Sequence, residues 1–185
     1  DWDDNIYNKL CEKFNLDQKK RIRELSSGMK VKYSLAVALS HHAKLLIFDE
    51  PTSGLDPVSR DEVLEIFKSL VKTKERSILF STHITSDLEK CADHIVYIKK
   101  GKIIARDTKD KFCDSYKVVT GPINKLNSIQ DILISYKKDD KTFEGLILKE
   151  NTKKISKPLK LSNASLENIM IYSEKEGEDN EEFVL

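Results

Sequence analysis

Two adjacent carboxylates follow directly on an apolar run in the segment LLIFDEPTSGLDP, residues 45–57. The run from Lys44 to Phe48 predicts a buried strand, and Asp49 and Glu50 fall at its end. Ligands of open α/β sheets bind beyond the carboxyl ends of strands. Neighbouring strand residues point to opposite sides, so the two acids can address different partners. We expect Asp49 to hold Mg²⁺ and Glu50 to polarise a water for attack on a phosphate, the alternative being two solvated acids.

A histidine is expected at the same sheet edge. The segment SILFS, residues 77–81, predicts a second buried strand, and His83 follows it. A histidine in that position can hydrogen-bond a phosphate oxygen or the attacking water. The alternative is a strand-end histidine whose ring is satisfied by the backbone.

Two further segments flank the acids. The first, LSSGMK at residues 25–30, precedes a helical pattern, and a helix start with Ser26 and Gly28 favours an anion. The second, TSGLDP at residues 52–57, predicts a tight turn at Gly54 and a helix that begins with Asp56 as N-cap and proline at its first position. Taken singly, each segment is also explained as an ordinary cap with a turn glycine.

Strands and helices alternate along residues 44–114, which predicts an α/β domain with a largely parallel sheet and helices on both faces. A capping box, Ser86 to Glu89, predicts a short helix after His83. After residue 114 the pattern changes to short strands and one helix, Ser165 to Tyr172. We therefore predict a small α+β appendage at residues 115–172. The acidic tail, residues 173–185, is expected to be disordered.

The composition excludes several classes of protein. The 32 Lys and Arg nearly balance the 31 Asp and Glu, so net charge gives no argument for nucleic acid or a membrane surface. No apolar run approaches the roughly 20 residues of a membrane span. The cysteines Cys11, Cys91 and Cys113 are too scattered for a disulfide framework or a zinc site, which indicates a reducing, cytosolic compartment.

Four motifs occur in one order: LSSGM, LLIFDE, SGLD and STH. In that order they resemble the signature motif, Walker B motif, D-loop and switch histidine of ABC-type ATPase cassettes. The resemblance covers residues 1 to about 114, with a helical subdomain at about 1–43 and a P-loop NTPase-like core at about 44–114. The ending SSGMK, in place of the commoner GGQ, resembles ATP-binding subunits of bacterial exporters of the ABC-2 kind.

The resemblance implies ATP and Mg²⁺ as cofactors and a head-to-tail pair of ATPase subunits. It implies that Glu50 is the catalytic base, that His83 positions the γ-phosphate and that Asp49 holds Mg²⁺. It further implies nucleotide contacts, partly across the dimer, by residues of the signature motif and D-loop, namely Ser26, Ser27, Gly28, Met29, Ser53 and Asp56. Membrane-spanning transporter subunits are the implied partners. The resemblance also implies that the subunit is peripheral at the cytoplasmic face of the cell membrane.

The family's Walker A loop, GxxxxGK[ST], has no match in the sequence. Among the six glycines only Gly101 precedes a lysine, and Val96 and Ile103 stand where the loop needs glycine and Ser or Thr. We expect a truncated chain, lacking about a hundred N-terminal residues of a cassette, that is inactive alone. Two alternatives stay open: a soluble ABC-type ATPase acting on ribosomes or DNA, and a degenerate, non-enzymatic binding module.

Overall fold

The computed structural model describes residues 2–72 and 74–175, and the chain divides into two units, Asp1–Cys91 and Ala92–Leu185. The sequence placed this boundary near residue 114. It falls earlier because the hairpin that follows Cys91 belongs with the C-terminal elements: Tyr97 contacts the Phe112 ring and donates its hydroxyl hydrogen to Glu174, and Lys99 bonds the Ser173 carbonyl.

Within residues 2–72 and 74–91, the first unit contains four helices, a two-stranded sheet and a short 3₁₀ helix, Ile22–Glu24. In chain order the named elements are α1 (Asp4–Lys13), α2 (Ser27–Leu39), β1 (Leu45–Asp49), α3 (Pro57–Val71), β2 (Ser77–Ser81) and α4 (Thr85–Cys91). Among the described residues no helix is long and apolar enough to cross a membrane.

Strands β1 and β2 run parallel, and α3 is the crossover between them. One face of the pair, with Leu46, Phe48 and Phe80, packs against Phe67 of α3. The Phe48 and Phe67 rings stack at 5.1 Å between centroids, and the Phe80 centroid lies 5.8 Å from that of Phe67. This aromatic contact ties both strands to the crossover helix.

The opposite face of β1 and β2 is uncovered. Ile47 is 68% exposed, and Leu45 and Leu79 are also more than half exposed. The expectation of helices on both faces is therefore not met within residues 2–72 and 74–175. A single crossover helix can cover only one face, and burial along β1 alternates as a consequence.

Side-chain caps begin α1, α2 and α3. The caps are Asp3, Ser26 and Asp56, and Pro57 is the first helical residue of α3 as predicted. The capping box predicted at Ser86 is wrong. Helix α4 begins at Thr85, so Ser86 lies inside its first turn.

The second unit joins a two-stranded hairpin to a four-stranded antiparallel sheet of order β6-β7-β5-β8. Its 3₁₀ helices are Ile123–Ser128, Gln130–Ile132 and Lys149–Lys154. Its other elements are β3 (His94–Lys99), β4 (Lys102–Thr108), α5 (Lys109–Asp114), β5 (Tyr116–Pro122), β6 (Leu133–Lys138), β7 (Thr142–Leu148), β8 (Lys160–Asn163) and α6 (Leu166–Glu174).

The sheet of the second unit is buried around Val119, Phe143 and Ile147. Helix α6 packs on β6 and β7 through its buried residues, which include Ile169 and Tyr172. It ends at Glu174, two residues beyond the predicted end, and the rest of the predicted tail, 176–185, lies outside the described residues.

Neighbouring residues of β1 give a test of this packing. Leu46 is 5% exposed and Ile47 is 68% exposed. We expect Leu46→Ala to lower the free energy of unfolding by about 2–5 kcal/mol, because it leaves a cavity beside Phe67. Ile47→Ala should change it by less than about 0.5 kcal/mol. Urea denaturation of both variants measures the difference, and equal losses would show that both faces of β1 are covered.

A carboxylate in the second unit gives a pH test. The Tyr172 hydroxyl, which donates to Glu144 at 2.8 Å, and then the Lys137 ammonium hold the pKa of Glu144 below its usual 4.5. The folded pKa is depressed, so this stabilisation is present above pH 4.5 and is lost as the pH falls through the folded pKa. Burial, and then the bond to Glu144, raises the pKa of Tyr172, which keeps its proton throughout.

We therefore expect Tyr172→Phe to raise the pKa of Glu144 and to destabilise the second unit near neutral pH. The difference in unfolding free energy between the two proteins should shrink as the pH falls below 4.5. Urea unfolding from pH 3 to 7 and NMR titration of the Glu144 carboxyl measure both effects. A difference that does not vary with pH would contradict the assignment.

Candidate functional site

The structure brings Glu50 and His83 together at one edge of the β1–β2 sheet. The two strands are parallel, and Asp49 is paired with Ser81, so both strands end at the same edge of the sheet. Glu50 Oε1 lies 2.9 Å from His83 Nδ1, and the His83 backbone N–H donates to the same oxygen at 3.2 Å. A carboxylate oxygen accepts, so His83 Nδ1 carries the proton of this bond.

Glu50 adopts an unusual backbone conformation, with φ of 47° in the left-handed region. A non-glycine residue there costs about 1–3 kcal/mol and needs support from its surroundings. The Glu50 N–H supplies support by donating to the Ser81 carbonyl at 3.1 Å and to Ser81 Oγ at 3.2 Å. The Glu50 carbonyl accepts from the Ser53 N–H at 3.1 Å, which closes the following turn.

Ser81 is a site residue that the sequence prediction missed. Its hydroxyl donates to Asp49 Oδ1 and accepts from the Glu50 N–H, so one side chain connects both acids. The signal for it is a hydroxyl at the last position of the partner strand. That signal can be interpreted only once the register Asp49 to Ser81 is known.

Glu50 keeps one carboxylate oxygen without a partner. Oε2 is buried and has no hydrogen bond among the described residues. A buried carboxylate oxygen is costly unless it accepts a hydrogen bond, so this atom is suited to holding a polar ligand such as a water.

Asp49 is the residue at this edge that could hold Mg²⁺. Asp49 is exposed and lies beside the Ser81 hydroxyl, and oxygen atoms are the ligands that Mg²⁺ prefers. Within the part of the chain that the structure describes, no group of three or more His, Cys, Asp or Glu could hold a metal ion. One carboxylate is nevertheless enough where waters and substrate phosphates supply the other ligands.

The predicted signature residues form the start of α2. Ser26 Oγ accepts from the Met29 N–H at 3.2 Å, Ser27 is the first helical residue, and the Met29 side chain packs on the core. A Cβ built on Gly28 would lie 3.6 Å from the Gly54 carbonyl oxygen, an ordinary contact. Packing within the chain therefore does not require glycine at position 28.

The remaining predicted residues lie in the turn after Glu50. Ser53 is exposed, and Gly54 has a φ of 71° that favours glycine. Asp56 accepts from the Val58 and Ser59 N–H groups at 3.1 and 3.0 Å. Hydrogen bonds from Ser59, chiefly, hold the pKa of Asp56 below its usual value. No hydrogen bond among the described residues joins Ser26–Met29, Ser53 or Asp56 to the side chains of the Glu50–His83 pair.

The likeness to known structures defines the class of fold. A solved structure described as the ATP-binding subunit of an ABC transporter matches with a TM-score of 0.53 and 32% identity, over 58% of this chain and 47% of that one. The predicted fold class, an α/β core of the ABC ATPase type, is confirmed. A family model described as "AAA domain, putative AbiEii toxin, Type IV TA system" matches residues 12–86, less than half of the chain.

Curated relatives make the assignment more specific. The bacitracin transport ATP-binding protein BcrA of Bacillus licheniformis is 41% identical over 88 residues, 48% of this chain and 29% of the relative. The lantibiotic transport ATP-binding protein SrtF of Streptococcus pyogenes is 43% identical over 96 residues, 52% of this chain and 41% of the relative. The resemblance drawn from the four motifs is thereby confirmed: the chain is related to ATP-binding proteins of ABC transporters. It spans less than half the length of these relatives.

Substitutions at Ser26 measure how much its N-cap contributes to stability. We expect Ser26→Ala to lower the free energy of unfolding by about 1 kcal/mol, because it removes the cap of α2. Ser26→Asn, which retains a capping oxygen, should lie close to the unsubstituted protein. Urea denaturation at neutral pH measures both, and a neutral Ser26→Ala would show that the cap contributes no stability.

Proposed function

We propose that this chain belongs to an ATP-binding and ATP-hydrolysing subunit that powers an ABC membrane exporter. The observation that carries the proposal is the contact of Glu50 with His83 at the strand edge, 2.9 Å between Oε1 and Nδ1. The four motifs and the transport ATP-binding proteins among the relatives support it.

Glu50 is the proposed general base. Its Oε1 is held by the His83 ring and backbone, while Oε2 has no partner among the residues described. An attacking water bound at Oε2 can give up its proton to a carboxylate that is already oriented. His83 is the proposed γ-phosphate ligand, because its side chain is 72% exposed even with Nδ1 engaged.

Asp49 is the proposed Mg²⁺ residue, with its carboxylate oriented by the Ser81 hydroxyl. When bound, Mg²⁺ neutralises charge on the β- and γ-phosphates of ATP. The same Ser81 hydroxyl accepts from the Glu50 N–H. One side chain therefore contacts both the proposed Mg²⁺ residue, Asp49, and the proposed base, Glu50.

A second ATPase subunit is the proposed partner at the signature segment. The backbone N–H groups at the start of α2 and the positive end of its dipole favour the γ-phosphate of a nucleotide held by the other subunit. Ser26, Ser27, Gly28 and Met29 would form that contact, and the absence of a side chain at Gly28 favours a close approach of the phosphate to the backbone. Ser53 and Asp56 would contact the second subunit and couple its nucleotide site to that of the first.

Export is the proposed direction. BcrA and SrtF are named for bacitracin and lantibiotic transport, and the SSGMK ending resembles the ABC-2 exporter branch. We propose membrane-spanning transporter subunits as partners and a peripheral place at the cytoplasmic face of the membrane.

The proposal is tested by Glu50→Gln in the complete protein. We expect ATP binding to persist and turnover to fall by about 10²- to 10⁴-fold, because the amide cannot accept the proton. Radiolabelled ATP binding and phosphate release measure the two effects. Glu75→Gln, at an exposed glutamate away from the site, is the matched control and should leave turnover unchanged. Normal turnover in Glu50→Gln would remove Glu50 from the proposed role.

A further inference from the structure

A second polar contact joins the two segments that carry Glu50 and His83, and it has no part in the roles proposed above. The Thr52 hydroxyl donates to Asp87 Oδ2 at 2.5 Å. Thr52 is fully buried and Asp87 is 1% exposed. A carboxylate this deeply buried is costly, and it persists only where surrounding groups compensate its charge.

Arg60 supplies the charge compensation. Its Nε lies 3.9 Å from Asp87 Oδ1, which is an ion-pair distance and too long for a hydrogen bond. Neither of these two atoms has a hydrogen-bond partner among the described residues. The Thr52 hydroxyl therefore makes the short, directional contact to the Asp87 carboxylate, while Arg60 contributes attraction with little control of orientation.

The position of this contact in the chain is informative. Thr52 lies two residues after Glu50, and Asp87 lies four residues after His83. Glu50 and His83 are bonded to each other, and so are Thr52 and Asp87. The two bonds close a ring formed by residues 50–52 and 83–87. Because both connecting segments are short, a change in the Thr52–Asp87 bond must be accommodated near His83.

The C-terminal end of helix α4 is held to α3 by a separate ion pair. Lys90 pairs with Asp61 and lies 3.6 Å from Glu65, both on α3. This anchor acts at the C-terminal end of α4, and it leaves the orientation of the first turn to Asp87. The short segment that contains His83 connects that first turn to β2, so a shift of the first turn is passed to His83.

We propose that the Thr52–Asp87 hydrogen bond positions His83 against Glu50, and that Thr52 and Asp87 are positioning residues for the hydrolysis reaction. The statement about catalysis rests on the proposed function, since the pair they position is assigned to the reaction there. The geometric statement, that breaking the bond displaces the His83 ring, stands apart from that assignment.

The geometric statement is tested by NMR on the 185-residue chain. In the unsubstituted protein the Nδ1–H form of His83 should be enriched at alkaline pH, because Nδ1 donates to Glu50. We expect Thr52→Val, which keeps the shape but loses the hydroxyl, to shift the ring several-fold toward the Nε2–H form. Ring ¹⁵N chemical shifts measure the ratio, and Thr52→Ser, which keeps the hydroxyl, should restore it.

Ser40→Ala is the matched control. Ser40 is fully buried in the same unit and its hydroxyl donates to the Ala36 carbonyl at 2.6 Å, outside the ring described above. We expect Ser40→Ala to lower stability and to leave the His83 tautomer ratio unchanged. If Thr52→Val lowers stability and leaves the ratio unchanged as well, the bond is structural only and the proposal is overturned.

The catalytic statement is tested in the complete protein. Misplaced catalytic groups cost up to about a hundredfold in rate, so Thr52→Val should lower kcat by about ten- to a hundredfold with little change in KM for ATP. Full activity in Thr52→Val, together with an inactive Glu50→Gln, would overturn the positioning role alone. Full activity in Glu50→Gln would instead overturn the proposed function and leave the NMR result to decide the geometry.

Discussion

The site depends on the parallel pairing of β1 with β2 in one register. With Asp49 opposite Ser81, a single hydroxyl reaches the Asp49 carboxylate and the Glu50 amide, and His83 falls within reach of the Glu50 side chain. A slip of one residue would turn every side chain of one strand to the other face. The constellation would then be lost, although no residue of it had changed.

That register is maintained away from the site, by the apolar contacts of the two strands with α3. Phe48 and Phe80 both pack against Phe67, so each strand is located on the crossover helix by an aromatic side chain. Asp56 and Pro57 begin the same helix directly after the turn that follows Glu50. Core packing and helix capping thus determine where the carboxylates emerge, and the polar bonds at the edge refine their orientation.

The sequence predicted the features that depend on local chemistry. The strand Ser77–Ser81, the cap at Asp56 and the helix start at Ser26 follow from residue types within a few positions of one another. It did not predict features that arise between distant segments. Ser81 and the Thr52–Asp87 bond join residues more than 30 positions apart, and the polar, exposed strand β8 has no apolar alternation to reveal it. Ser86 matched a capping pattern, yet α4 begins one residue earlier, and its buried polar residue is Asp87.

The residues at the sheet edge share one property that a plain strand end would lack. Each uses one polar atom to fix its orientation: Asp49 bonds Ser81 through Oδ1, Glu50 bonds His83 through Oε1, and His83 engages Nδ1. Asp49 and the His83 side chain are exposed, the latter to 72%, and the buried Glu50 Oε2 has no hydrogen-bond partner within the described chain. Groups that are oriented in advance and still able to bind are what phosphate chemistry requires, because its catalysis is mostly positioning and electrostatic stabilisation. The left-handed backbone at Glu50 is supported by its N–H, which donates to the Ser81 carbonyl and hydroxyl, so the side chain leaves the strand end in the direction from which it reaches His83.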